Sequence, residues 1–149
     1  MPLCLRGEIG LVLLKQALVS AIDRLNAAHV GSPRLNAEVL LMFTLACDRA
    51  CLYAHPERAL SAAEMARYDD ALSQRAQGVP AQYITGHQEF WGMDLVVSPA
   101  VLIPRPETEH VIETVLPIAR RLPQPKIVDV GTGSGAIALA LAGDLPAAD

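Results

Sequence analysis

The sequence predicts an α/β protein in which a small helical bundle precedes a β-hairpin and the first strand, glycine loop and helix of a doubly wound sheet. Three observations predict this fold class. Apolar residues recur at helical spacing up to residue 78, short extended runs separated by Gly and Pro occupy 79–105, and 106–149 contain a glycine-rich turn between a β-branched run and an Ala/Leu-rich run. We therefore expect a helical domain at 1–78, a hairpin linker at 79–105 and the beginning of an α/β domain at 106–149.

Composition sets broad limits on function. The chain has 149 residues, of which 52% are hydrophobic and 19% charged, so it has enough apolar side chains to fold. Its net charge is −4 and it has no basic block, which argues against tight phosphate binding and a direct nucleic-acid partner. No apolar run is long enough to span a bilayer, and Leu11–Leu14 fits a helix better than a signal peptide. We expect a cytoplasmic protein with no membrane partner.

Two helices are predicted at the start of the chain. The first lies between Leu11 and Ala28, where apolar residues recur close to every 3.6 positions: Leu11, Leu14, Leu18, Ile22 and Leu25. Ser32-Pro33 begins the second, with Ser as N-cap and Pro at the first helical position. Its predicted core face consists of Leu35, Val39, Met42 and Phe43.

Two further helices complete the predicted bundle. A short one covers about Arg49 to Ala54 and stops before Pro56. The sequence Ser61-Ala62-Ala63-Glu64 is a capping box that opens a helix ending near Gln77, with Met65, Tyr68, Leu72, Arg75 and Ala76 along one side. Cys47, Cys51 and His55 are spaced four apart, so an unbroken helix would align them as metal ligands; we favour a plain helix face because no fourth ligand is evident.

The middle segment predicts a hairpin followed by a helix. His87–Trp91 and Met93–Val97 are short extended runs around Gly92, and Val101–Ile103 is a third. In a strand the rings of Phe90 and Trp91 point to opposite faces, so one could line a pocket; a plain aromatic plug is the alternative.

Arg105 lies between two prolines, which would orient it, although it could equally be a surface side chain. Pro106 is suited to the first position of a helix reaching about Arg121, which Pro117 should kink or interrupt. The apolar side of this helix is predicted to be Val111, Ile112, Val115 and Ile118.

The most informative stretch is a strand, a glycine turn and a helix in that order. Ile127–Val130 is apolar except for Asp129, as in a strand buried on both faces, and Ala136–Ala142 should be helical. The glycines between them permit sharp turns and a close ligand approach, and the helix N-terminus offers free N–H groups. Gly131, Gly133 and Ala136 also satisfy the dinucleotide fingerprint, but a carboxylate at Asp129 would repel a pyrophosphate and suits an ammonium or sulfonium. A turn without any ligand is the third possibility.

Four runs together resemble the HemK/PrmC family of protein-(glutamine-N5) methyltransferases, which act on peptide-chain release factors. They are Pro80–Gly86, Glu89–Gly92, Leu102–Glu109 and Asp129–Leu139, and the Ile-Pro-Arg-Pro-Glu-Thr-Glu run within the third is the most specific. The resemblance implies a helical domain that recognises the release factor, then a Rossmann-like class I methyltransferase domain that binds S-adenosylmethionine. We expect no metal site in this chain.

The resemblance also implies site residues. Phe90 and Arg105 would border the substrate pocket, and the cofactor would lie against Asp129, Gly131, Thr132, Gly133, Ser134 and Gly135. The family's Asn-Pro-Pro-Tyr motif, which holds the reacting amide, does not occur in these 149 residues, nor does the acid expected about 20 residues after the glycines. We therefore expect the N-terminal part of a longer enzyme, with no catalytic residue in this chain and no activity alone. The alternatives are a non-catalytic helical binding module with a vestigial tail, and a fragment of a dinucleotide-dependent oxidoreductase.

Overall fold

The computed structural model describes residues 11–146 and Ala148, and it divides into two compact units with their boundary between Ile84 and Thr85. The first unit contains helices Leu14–Ala27 (α1), Pro33–Leu45 (α2), Arg49–Ala54 (α3), Ala62–Ala76 (α4) and Ala81–Thr85 (α5). The last residue of α5, Thr85, is the first residue of the second unit. The second contains strands His87–Phe90 (β1) and Met93–Val96 (β2), a single 3₁₀ turn at Pro106–Thr108, and helices Glu109–Ala119 (α6) and Ala136–Asp144 (α7).

The core of the first unit forms where α1, α2 and α4 pack together. It is built from small and branched apolar side chains around Tyr68, whose hydroxyl donates to the carbonyl of Ala37 at 2.9 Å. Burial raises the pKa of Tyr68, which keeps this hydroxyl protonated and able to donate. Within the described part of the chain, no helix is long and apolar enough to cross a membrane.

Local signals predicted the start of α2 and both ends of α3 and α4 correctly. Helix α5 was not predicted, because it lies within 79–105, where we expected a hairpin linker. The predicted capping box forms: the Glu64 N–H donates to the Ser61 hydroxyl at 3.2 Å, and the Ser61 N–H donates to the Glu64 carboxylate at 2.8 Å. Ser32 is the N-cap of α2, as predicted, but its hydroxyl forms no capping bond. The side chain of Asn36 donates instead to the carbonyl of Gly31 at 2.9 Å.

The predicted core face of α2 is wrong. Leu35 and Phe43 are each 50% exposed, and Val39 and Met42 are only half-buried. The opposite side of the helix is buried: Ala37, Leu40, Leu41 and Thr44. Leucines lie on both sides of α2, so periodicity alone could not choose between them, whereas Ala37 allows the close approach that packing against α1 and α4 requires.

The continuous helix face that we favoured for Cys47, Cys51 and His55 does not form either. Cys47 precedes α3, whose N-cap is Asp48, so no unbroken helix carries Cys47, Cys51 and His55. The carboxylate of Asp48 accepts the N–H of Cys51 at 2.7 Å, which starts α3 at that point. Among the described residues no group of three or more potential metal ligands converges.

The hairpin forms with antiparallel strands in which Phe90 pairs with Met93. Trp91 and Gly92 are therefore the two turn residues, with φ of +52° and +70°. Positive φ at both central positions matches the twist of a two-residue hairpin. The expectation that Trp91 is a strand residue is thus wrong. Val101–Ile103 is irregular and does not form the expected strand.

A second core fills the space between the hairpin and the last two helices. It contains Phe90, Ile112, Leu116 and Ala140. The apolar side predicted for α6 is therefore correct only in part, since Ile112 is buried whereas Val111 and Ile118 are exposed. Pro117 lies within α6 without ending it, because the helix continues to Ala119.

The helical half of the predicted opening unit forms, but the strand does not. Helix α7 begins at Ala136 as predicted, whereas Ile127–Val130 is irregular. A strand needs a neighbour to complete its hydrogen bonds, and the sheet described in this chain contains only β1 and β2. The expectation of burial on both faces is likewise wrong, because Val128 and Val130 are 85% and 90% exposed.

Candidate functional site

The loop Gly131–Gly135 has a backbone that only glycine adopts readily. Gly131, Gly133 and Gly135 have φ values of +76°, +57° and +79°. The Gly135 N–H donates to the carbonyl of Thr132 at 2.8 Å, which closes the turn directly before α7. A methyl group added at Gly131 would meet no atom within 4 Å, so the backbone there is open to an approaching ligand.

Asp129 is held at the entrance to this loop. The Thr132 hydroxyl donates to one oxygen of the Asp129 carboxylate at 2.6 Å. Asp129 is half-buried and Thr132 is exposed. The bond fixes the carboxylate beside the glycine backbone and leaves its negative charge available to a cation.

The N-terminus of α7 supplies the opposite polarity. Its N-cap, Gly135, has no side chain to accept the first N–H groups of the helix, and the first intrahelical bond runs from the Leu139 N–H to the Gly135 carbonyl at 2.8 Å. The N–H groups before Leu139 carry the positive end of the helix dipole. A carboxylate and a helix N-terminus on one short loop can together bind a zwitterion, one end at each.

A cleft of about 150 Å³ lies beside the loop. Ile127 and Asp129 line one side of it, and Ala138, Leu141 and Ala142 of α7 line the other. The lining is mostly apolar. Pockets for drug-sized ligands have volumes of roughly 300–1,000 Å³, so this cleft has room for only a fragment of such a ligand.

The two residues predicted to border the substrate pocket differ in environment. Phe90 is 1% exposed and belongs to the same core cluster as Ala136 and Ala140 of α7. Arg105 is exposed, immediately precedes the 3₁₀ turn, and accepts the Thr108 N–H with its carbonyl at 3.0 Å. The described residues include no ion-pair partner for its guanidinium.

Sequence reasoning missed a hydrogen-bonded connection through Trp91. The backbone N–H of Trp91 donates to Glu109 at 2.8 Å, and its indole N–H donates to Asp144 at 2.7 Å. These bonds join the hairpin turn to the start of α6 and the end of α7. The adjacent Gly92 signals the turn, but no local pattern reveals a partner 53 residues away.

A second polar cluster was also missed, on the surface of the first unit. Glu38 is 4% exposed and accepts from Arg34 at 3.0 Å and from the Tyr53 hydroxyl, while Arg49 lies 3.1 Å from its other oxygen. Burial alone would raise the pKa of Glu38, but the hydrogen bonds from Tyr53 and Arg34 and the two positive charges outweigh it and lower the pKa. The four-residue spacing of Arg34 and Glu38 was the available signal.

Comparison with known proteins decides the family. Residues 16–86 match the family described as the PrmC N-terminal domain. These residues belong to the PrmC N-terminal domain family. The resemblance seen in the sequence is confirmed, and the PrmC N-terminal domain covers all five helices of the first unit except the start of α1.

The similarity continues beyond the PrmC N-terminal domain into the second unit. A protein of Koribacter versatilis named release factor glutamine methyltransferase is 62% identical over 133 residues, which is 89% of this chain. Proteins of the same name from Moorella thermoacetica and Vibrio cholerae are 50% and 43% identical, each over 135 residues and 91% of the chain. The aligned part covers 48%, 48% and 47% of these relatives, so the chain spans about half their length.

Proposed function

We propose that this chain forms part of an enzyme that transfers a methyl group from S-adenosylmethionine to the side-chain amide nitrogen, N5, of a glutamine in peptide-chain release factors. The observation that carries the proposal is the 62% identity over 89% of the chain to a protein named for this activity. The glycine loop adds independent support, because the Asp129 carboxylate and the N-terminus of α7 suit the ammonium and the carboxylate of the cofactor.

The proposed cofactor fits the loop chemically. The methionine part of S-adenosylmethionine has an ammonium and a carboxylate, and its sulfonium supplies the methyl group. The Asp129 carboxylate would bind the ammonium, and the free N–H groups before Leu139 would face the carboxylate. The residues proposed to contact the cofactor are Asp129, Gly131, Thr132, Gly133, Ser134 and Gly135.

Phe90 and Arg105 are proposed to border the substrate pocket. Because Phe90 is buried against α7, its contribution would be to fix the wall of the pocket from behind. Arg105 presents an exposed guanidinium, whose N–H groups would donate to a backbone carbonyl of the substrate.

Catalysis of this transfer depends mainly on how the reacting amide nitrogen is positioned. An amide nitrogen is a weak nucleophile because its lone pair is delocalised into the carbonyl group. Acceptors that bind the two amide hydrogens hold the nitrogen in line with the methyl group and favour attack. The sequence has no Asn-Pro-Pro-Tyr to supply these acceptors, so we propose that the 149 residues alone do not catalyse transfer.

The first unit is proposed to recognise the protein substrate. It has a core of its own and no part of the glycine loop, as a recognition domain requires. We propose that residues 1–78 form this domain, 79–105 the linker and 106–149 the beginning of the cofactor domain. Release factors act on cytoplasmic ribosomes, so we place the protein in the cytoplasm, with no direct nucleic-acid or membrane partner.

Calorimetric titration tests the cofactor assignment. S-adenosylmethionine and NAD would each be titrated into the 149-residue chain and into the longest natural chain that contains it. We expect saturable binding of S-adenosylmethionine to the longer chain, weakened about tenfold by Asp129→Asn through loss of the charge on the carboxylate. Asp94→Asn is the matched control, since Asp94 is an exposed carboxylate of β2 in the same unit.

Each alternative predicts a different result. Binding of NAD in place of S-adenosylmethionine would support a dinucleotide-dependent oxidoreductase. Binding of neither by any form, with a folded first unit, would support a non-catalytic helical module. Equal effects of Asp129→Asn and Asp94→Asn on the affinity for S-adenosylmethionine would show that Asp129 does not contact the cofactor.

A further inference from the structure

Glu38 and its three partners line an open surface groove of about 480 Å³. Helix α2 and helix α3 form its two sides, with Arg34 and Leu35 on one and Arg49 and Tyr53 on the other. The groove belongs entirely to the PrmC N-terminal domain. It is separate from the glycine loop, which lies in the other unit.

The groove has one positive charge in excess. Both guanidiniums, of Arg34 and Arg49, pair with the single carboxylate of Glu38. Their side chains are nevertheless 69% and 54% exposed, so their remaining N–H groups face solvent. Neither pairs with another carboxylate within the part of the chain that the structure describes. In a chain of net charge −4, this positive site favours an acidic partner group.

The groove also has apolar surface. Two of its lining residues are half-exposed, Leu35 at 50% and Tyr53 at 48%. Phe43, which is not a lining residue, is also 50% exposed two turns further along α2. Helix α2 therefore has an outward apolar side in addition to its buried side. Exposed aromatic and arginine side chains are enriched at protein–protein contacts, and exposed apolar patches mark such contacts.

We propose that the release factor docks on this α2–α3 face, defined by Arg34, Leu35, Arg49 and Tyr53, through a segment that has an apolar side chain next to a carboxylate. The inference rests on the proposed function, which supplies the identity of the partner. The apolar side chain would contact Leu35 and Tyr53. The carboxylate would accept from the exposed N–H groups of Arg34 and Arg49, which Glu38 holds in place.

The arrangement favours a protein segment over a nucleic acid. A nucleic-acid site needs several phosphate contacts, whereas this groove has one excess charge. The half-exposed Leu35 offers nothing to a phosphate backbone but can bury apolar protein surface.

Equilibrium binding of a labelled peptide-chain release factor to the 149-residue chain tests the proposal. Leu35→Asp removes apolar surface and repels a carboxylate, and Arg49→Gln removes one charge while Arg34 still pairs with Glu38. The matched controls, Val19→Asp and Lys15→Gln, change exposed residues of α1 in the same unit. We expect Leu35→Asp to raise Kd by about tenfold or more, and Arg49→Gln to raise Kd by about threefold to tenfold. The controls should stay within about twofold, and circular dichroism should show all four variants folded.

The outcomes separate this inference from the proposed function. An unchanged Kd for Leu35→Asp and Arg49→Gln would overturn the proposed docking face, even if the longer chain methylates the release factor. An equal rise in Kd for these variants and for the controls would do the same. Absence of release-factor binding by a wild-type chain that binds S-adenosylmethionine would overturn it as well. A change in self-association on sedimentation, with release-factor binding intact, would assign the face to a second copy of the chain and also overturn the inference.

Discussion

Trp91 is the single tryptophan of the chain, so its fluorescence reports on the second unit alone. Its indole N–H donates to the Asp144 carboxylate at 2.7 Å. We predict that Asp144→Ala, which removes this acceptor, destabilises the second unit and shifts the emission of Trp91 to longer wavelength. The expected loss in free energy of unfolding follows from the solvent exposure of this hydrogen bond.

A hydrogen bond to a charged group contributes about 1.5–3 kcal/mol. The Asp144 side chain is 36% exposed, so solvent screening places the value at the lower end, about 1.5 kcal/mol. The ion pair between Asp144 and Arg120, at 3.7 Å with Arg120 58% exposed, adds close to nothing. With a urea m-value of about 1 kcal/mol/M for so small a unit, the fluorescence midpoint should fall by about 1.5 M.

Two further variants make this prediction specific. Asp144→Asn keeps an oxygen acceptor and loses only the charge, so about half of the effect should remain. Asp94→Ala removes an exposed carboxylate of the same unit, whose partner is His87 on β1, and should change the midpoint by less than about 0.3 M. Equal midpoints for Asp144→Ala and Asp94→Ala would refute the argument that the indole bond connects the hairpin to α7.

Three other predictions concern the Glu38 cluster, the core of the second unit and a helix end. Glu38→Gln should cost about 2 kcal/mol at pH 7, because Arg34 and Tyr53 lose a charged acceptor. The pKa of Glu38 is lowered in the folded state, so the difference in free energy of unfolding between wild type and variant depends on pH. Measured by urea denaturation, this difference should be fully present above the unfolded pKa of about 4.3 and should vanish as pH falls through the folded pKa. A difference independent of pH would contradict this. Phe90→Ala should cost about 3–5 kcal/mol and weaken or abolish the cooperative fluorescence transition of the second unit, whereas a near-normal midpoint would show that Phe90 is not a core residue. Ser61→Ala should cost about 1 kcal/mol and lower the thermal midpoint followed at 222 nm by about 4–8 °C, and no shift would argue against the capping box.

The helix ends could be predicted because their causes are local. The residues of the Ser61 capping box lie within one turn of each other, and Pro33 needs only its own ring to favour the first helical position. The same holds for the start of α7 at Ala136, which directly follows the glycines. For such features the sequence window contains all the interacting atoms.

The buried side of α2 could not be predicted because its cause is not local. Leu35 and Leu40 are equally apolar, and only the surfaces of α1 and α4 decide which one is buried. The strand expected at Ile127–Val130 failed for a related reason, since a strand exists through a neighbouring strand and the local sequence specifies only a preference.

In the candidate site, too, the local features could be predicted and the non-local ones could not. The glycine loop and Asp129 were found from spacing, and their bond through Thr132 spans three residues. The bond from Trp91 to Asp144 joins residues distant in the sequence, and no periodicity encodes it. The roles of the loop residues, Phe90 and Arg105 stay predictions, to be decided by ligand binding.

The central claim is transfer of a methyl group to a release-factor glutamine, and mass spectrometry of the product tests it most directly. A peptide-chain release factor would be incubated with S-adenosylmethionine and either the 149-residue chain or the longest natural chain that contains it. We predict that the longer chain adds one methyl group, located by fragmentation on a glutamine side chain, and that the 149 residues alone add none. An unmodified release factor after incubation with the longer chain, or a methyl group on another residue type, would contradict the account.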